Sequence, residues 1–91
     1  MKIIGKRYPR VKVNMDDGQY FLISFHQMDF LKQLYDWDFN FAYAEGSEKA
    51  TLRSLEKLNM VDIQTSGKCI LTDLGEAVTE RILDDEEQDV A

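Results

Sequence analysis

Ser47-Glu48-Lys49-Ala50-Thr51-Leu52-Arg53-Ser54-Leu55-Glu56-Lys57-Leu58-Asn59-Met60-Val61 runs directly into Asp62-Ile63-Gln64-Thr65-Ser66-Gly67-Lys68-Cys69-Ile70-Leu71-Thr72-Asp73-Leu74-Gly75. The hydrophobic period changes twice along this stretch. Ala50, Leu52, Leu55 and Leu58 recur at helical spacing, with Ser47 as the expected cap and Asn59 suited to the left-handed position that ends a helix. Met60 to Thr65 reads as a strand, Ser66-Gly67-Lys68 as a turn and Cys69-Ile70-Leu71 as the paired strand. Thr72 then caps a last helix through Leu83, with Leu74, Val78 and Ile82 as its inner stripe and Ala77 beside them.

Upstream, Ser24 opens a first helix. Gln27 stands three residues after it, at capping-box spacing. Phe25, Met28, Leu31, Leu34 and Tyr35 follow as an amphipathic stripe. Before the helix, Val11, Val13 and Met15 alternate with Arg10, Lys12 and Asn14. Asp16-Asp17-Gly18 suits a three-residue hairpin loop, and Gln19 to Ile23 makes the return strand. Residues 2–8 are a further strand or a loose arm, and Pro9 opposes a continuous strand through it except on an edge. The run from Asp36 to Tyr43, with Trp37, Phe39 and Phe41, is either an aromatic-packed connection or a short second helix.

These elements describe one α+β domain. A chain of 91 residues buries roughly 60–65% of its unfolded surface, enough for one small core. The domain is expected over residues 1–83. Residues 1–23 form a basic arm and β-hairpin, and residues 24–83 the helices and the second hairpin. Residues 84–91 are expected to be an acidic disordered tail, since Asp84, Asp85, Glu86, Glu87 and Asp89 leave little to bury. No apolar stretch approaches the roughly 20 residues of a membrane span, and no membrane partner is expected. The start lacks the apolar core of a secretory signal. A lone Cys suits a reducing compartment, so the expected location is cytoplasmic.

Charge divides along the chain. Residues 1–15 carry Lys2, Lys6, Arg7, Arg10 and Lys12 and no acid, for +5, whereas six basic and seventeen acidic residues give the rest −11, for a net −6. The basic start reads as a phosphate-contacting arm or as a solvated strand face whose charges protect an edge.

The order of capped helix, Leu-rich helix, short strand, Gly turn, short strand and capped helix resembles the second half of a winged helix-turn-helix domain. The resemblance covers residues 47–78. Ser47 to Val61 is similar to the recognition helix of MarR-like and PadR-like regulators. There Asn59-Met60-Val61 takes the place of the usual exit into the wing, and Leu71-Thr72-Asp73-Leu74-Gly75 that of the start of the closing helix. The resemblance implies a winged helix-turn-helix with an added N-terminal β-hairpin, acting as a homodimeric DNA-binding regulator of transcription. It also implies a DNA-contacting set. Lys49, Arg53, Lys57 and Lys68 would meet bases or phosphates, and Ser47 and Thr51 would supply hydrogen bonds. Lys6, Arg7, Arg10 and Lys12 would add charge if the first hairpin lies near the recognition helix. Two departures stand out. Aromatic residues and Glu45-Gly46 occupy the place of the family's second helix, and Glu48 and Glu56 nearly cancel the cations of the recognition helix.

Other chemistry is sparse. His26 is the only His, and a triad or metal site needs partners at known spacing. Cys69 reads as a buried structural thiol. Asp36 and Asp38 are two carboxylates without further ligands. No phosphate-cradling loop, HExxH or nucleophile elbow occurs. No enzyme, metal or cofactor is therefore expected. The principal expectation is binding of double-stranded DNA. The second, from a different class, is an acidic module for a basic protein partner, a DNA-mimicking inhibitor or an adaptor of a nucleic-acid-processing complex.

Overall fold

The computed structural model describes residues 2–4 and 10–89, with side chains from residue 10 to residue 87. Its elements in chain order are β1 (Lys2–Ile4), β2 (Arg10–Asn14), β3 (Tyr20–Ser24), α1 (Phe25–Asp36), β4 (Phe39–Asn40), a 3-10 turn (Phe41–Tyr43), α2 (Gly46–Lys57), β5 (Val61–Ile63), β6 (Lys68–Leu71) and α3 (Asp73–Asp89). Among the described residues this is an α+β fold of three α-helices and two small antiparallel sheets, ordered β1-β2-β3 and β4-β6-β5.

The first hairpin forms as its alternation requires. Val11 pairs with Ile23 and Val13 with Phe21. Val11, Val13 and Ile23 face inward and are buried, whereas Arg10, Asn14, Tyr20 and Leu22 remain exposed. The inward residues join the same buried cluster as Leu31 of α1, Leu52 and Leu55 of α2, Met60 and Val61, Cys69 and Leu71 of β6, and Val78 and Ile82 of α3. One core thus unites the hairpin with the helices, a packing that periodicity alone left open.

Several expected details are corrected. In α1 the buried residues are Met28, Phe30 and Leu31, while Phe25 and Tyr35 lie in solvent. Phe30 turns inward because the ring of Phe39 meets it edge to face, with centroids 5.6 Å apart. The 36–46 segment is not a second helix. It contributes β4, which extends the second hairpin's sheet through Phe39↔Cys69 and Asn40↔Lys68, followed by the 3-10 turn.

α2 begins at Gly46 with Glu45 as its N-cap residue, not Ser47. The Glu48 carboxylate accepts the Glu45 N–H at 3.0 Å. That reciprocal spacing outweighs the intrinsic capping preference of Ser. Ala50 and Leu58 are exposed. The helix closes with Asn59 at φ 63°, the Met60 N–H donating to Leu55 C=O at 3.0 Å and the Asn59 N–H to Glu56 C=O at 2.9 Å.

α3 passes its expected end at Leu83 and continues to Asp89, so residues 84–89 are helical rather than a disordered tail; residues 90–91 lie outside the described residues. Ion pairs join Lys32 to Glu86 and Arg81 to Asp85 and give the acidic turns partners. Ala77 is exposed, and Thr79 is buried with its hydroxyl donating to the Gly75 carbonyl at 2.7 Å. Among the described residues no helix is long and apolar enough to cross a membrane.

Candidate nucleic-acid interface

The outer face of α2 carries the charge that its spacing predicts. Lys49, Arg53 and Lys57 stand four residues apart and are exposed, so they form one stripe along the helix. The Arg53 guanidinium lies 4.7 Å from the centroid of the Phe41 ring, and the Lys49 ammonium 5.7 Å from the same centroid. Phe41 is therefore a shared aromatic partner of both cations. Arg53 also donates to Glu56 at 3.0 Å, a solvent-exposed pair worth about 0–1 kcal/mol. Ser47 is exposed in the first turn, and the Thr51 hydroxyl donates to the Ser47 carbonyl at 3.0 Å.

The start of α1 is fastened to α2 by one side chain. Gln27 accepts the Ser24 N–H at 2.9 Å and donates to the Ser54 hydroxyl at 2.9 Å. The Ser24 hydroxyl accepts the Gln27 N–H at 3.1 Å, completing the expected capping box. Arg10 pairs with Ser24 across the first hairpin, so the same clamp places the hairpin beside α2. Arg10, His26, Thr51 and Ser54 accordingly line one cleft of about 300 Å³.

The remaining predicted residues are dispersed. Lys12 sits on the outer face of β2 with its ammonium 4.4 Å from the Tyr20 ring centroid. Lys68 is exposed at the start of β6, just after the turn at Gly67. Lys6 and Arg7 lie outside the described residues. The fold brings Arg10 and Thr51 to one cleft and Lys49 and Arg53 to one ring, while Lys12 shares the outward side of β2 with Arg10 and Lys68 pairs with Asn40, next to Phe41.

Acidic residues concentrate elsewhere. From Asp73 to Glu87, α3 carries seven carboxylates and one cation, Arg81. Their field is felt at Tyr35. Glu80 is the strongest cause raising its phenol above the ordinary value, with burial, Glu76, Asp36 and Asp84 adding to it. Cys69 is buried, and burial pushes its thiol up against the opposing hydrogen bond from the Phe41 backbone, an environment of low nucleophilicity. Among the described residues no three His, Cys, Asp or Glu side chains cluster as metal ligands.

Two partnerships had no signal in the sequence. Phe41 precedes Arg53 by a turn and most of a helix, and Gln27 precedes Ser54 by 27 residues. Neither partnership is visible in local spacing. Compared with protein-family models, curated proteins and solved structures, the chain matches none.

Proposed function

We propose that this chain is a small DNA-binding regulator of transcription, a winged helix-turn-helix that presents α2 to the major groove. The observation that carries this reading is the shared cleft of Arg10 and Thr51. It joins the basic start of the chain to the helix that bears Lys49, Arg53 and Lys57. Without that juxtaposition α2 alone is nearly neutral, and phosphate neutralisation is the main source of DNA affinity.

The element order lends further support. A strand after the first helix pairs with the second strand of the following hairpin, as in a winged helix, and Gly67 lets the hairpin tip carry Lys68 toward a neighbouring backbone. The 3-10 turn Phe41–Tyr43 stands in place of a full second helix. In this reading Lys49 and Arg53 reach guanine edges or phosphates, Lys57 and Arg10 flank them on the backbone, and Ser47 and Thr51 contribute hydroxyls. A homodimer would set two such helices on half-sites about one helical turn apart.

The test is fluorescence anisotropy with labelled mixed-sequence duplex DNA from about 50 to 200 mM salt. Binding should weaken steeply with salt. Lys49→Ala with Arg53→Ala should lower affinity and flatten the salt slope by about 2, and Arg10→Ala by about 1. No binding at the lowest salt, or an unchanged slope in the double variant, overturns the assignment.

A further inference from the structure

A groove of about 510 Å³ runs between the end of α1, strand β6 and the first turns of α3. No residue of α2 lines it. Leu34 and Leu71 supply apolar side chains that are half-buried and buried, and Tyr35 and Ile70 add exposed apolar surface at 42% and 37% accessibility. Asp38, Glu76 and Glu80 supply three carboxylates against one ammonium, Lys68. Asp36 and Asp84 add to the negative field at Tyr35. Trp37, between Asp36 and Asp38, is 73% exposed. Acid, aromatic and aliphatic surface therefore meet in one concave site.

We propose that this groove docks an extended segment of a partner protein that carries closely spaced Arg or Lys side chains and an aliphatic residue. Charge complementarity selects the occupant. A cationic segment gains three carboxylate partners around the groove, whereas an anionic or nucleic-acid ligand is repelled. Guanidinium groups also favour aromatic faces such as that of Tyr35, which lines the groove. Aliphatic burial against Leu34, Ile70 and Leu71 separates docking from a diffuse attraction to an acidic surface. The proposal goes beyond DNA binding, because α2 lines no part of the groove and Lys68 is the one residue the two readings share. It gives the acidic half of the chain a recognition role of its own.

The experiment uses the full chain and a short fluorescein-labelled peptide alternating Arg and Leu, read by anisotropy at about 100 mM salt, where charges beyond roughly 10 Å are screened. Glu76→Gln with Glu80→Gln should weaken binding about tenfold, and Ile70→Thr about threefold, by losing apolar contact. Asp16→Asn with Asp17→Asn removes the same two charges from the first hairpin loop and should change affinity less than about twofold. Circular dichroism establishes that each variant is folded. DNA binding should survive Glu76→Gln with Glu80→Gln, and peptide binding should survive Lys49→Ala with Arg53→Ala, so either assignment can fail alone. The docking proposal is overturned by no peptide binding, by equal weakening in the two acid-neutralised variants, or by Ile70→Thr binding as the wild type does. It is also overturned if the chain is a dimer that Glu76→Gln with Glu80→Gln dissociates. The occupant would then be the basic start of a second copy.

Discussion

The two hairpins share one turn chemistry and differ in how they are held. In the first, the Met15 N–H donates to the Gln19 carbonyl at 2.8 Å and the Gly18 N–H to Met15 at 3.2 Å. In the second, the Gln64 N–H donates to Lys68 at 2.9 Å and the Gly67 N–H to Gln64 at 2.8 Å. Each loop ends on a glycine at positive φ, 88° for Gly18 and 93° for Gly67. Each also has a side chain, Asp17 or Ser66, that accepts the N–H two residues on. At the tip of the first, an added Cβ on Gly18 would meet nothing within 4 Å, and a solvent-exposed ion pair from Arg81 reaches Asp16. The second is tied at its tip, where the Phe41 N–H donates to the Gly67 carbonyl at 2.7 Å, and at its base, where the Thr72 N–H donates to Met60 at 3.0 Å. A turn is a local property, and what it costs to change one depends on its neighbours.

The base of the second hairpin gives the largest expected effect. The Thr72 hydroxyl donates to the Asn59 carbonyl at 2.6 Å and accepts the Gly75 N–H at 3.0 Å, which draws the start of α3 onto Met60. A Cβ at Gly75 would collide with the Met60 carbonyl oxygen and press on Leu71. The obstacle is backbone, so it cannot rotate away. Gly75→Ala should cost about 3 kcal/mol or more, read as a lower urea midpoint. Wild-type stability in this variant would show that α3 can lift from the strand without loss, and the contrast between the hairpins would be wrong at its base.

The tips come next. At Gly18 an added Cβ meets nothing within 4 Å, whereas at Gly67 it runs into the side-chain amide of Asn40. That amide is engaged, accepting the Ala42 N–H at 2.9 Å and donating to the Ser66 carbonyl at 3.3 Å. Gly18→Ala should therefore cost only the left-handed strain, about 1 kcal/mol. Gly67→Ala should cost about 2 kcal/mol, the same strain plus a displaced hydrogen bond. Equal losses in thermal unfolding would mean that Asn40 moves aside freely.

The base of the first hairpin is held by Ser24, which ends β3 and caps α1. Ser24→Ala should cost about 1 kcal/mol. Ser47→Ala, at the residue type expected to cap α2, should cost only a few tenths, because Glu45 and Glu48 close that helix. A reversal of these two values in denaturant titrations would restore Ser47 as the cap.

What was legible in the sequence lies within about four residues of chain. Gly18, Gly67 and Asn59 at their positive φ, the Ser24–Gln27 box and the Thr72 cap each depend on near neighbours, and residue type with spacing identifies them. What was not legible depends on which distant surface arrives. Phe30 rather than Phe25 enters the core because Phe39 comes to meet it. Arg10 reaches the vicinity of Thr51 because Gln27 bridges to Ser54. The groove gathers Leu34 and Tyr35 from α1, Ile70 and Leu71 from β6, and Glu76 and Glu80 from α3, and no window of sequence contains all three elements. The candidate site was half visible for the same reason. The cationic stripe of α2 follows from four-residue spacing, but its shared aromatic partner Phe41 does not.

The smallest effect concerns an ionic contact of the first tip. Arg81 of α3 donates to Asp16 at 3.0 Å, with the Asp16 side chain 97% accessible. A pair so exposed gains little from Coulomb attraction, because water competes for both groups and ordering the side chains costs entropy. Asp16→Asn should change stability by less than about 0.5 kcal/mol, and the difference should vanish near 1 M salt, where the Debye length is about 3 Å. The comparison sharpens if this holds, because an ion pair spanning 65 residues would then hold the first tip far less firmly than one carbonyl and one amide hold the second. A loss above about 1 kcal/mol that persists in salt would instead make Asp16 a structural anchor. The first hairpin would then be fastened at its tip as well as through Val11, Val13 and Ile23, and the difference between the hairpins would reduce to the chemistry of the anchor.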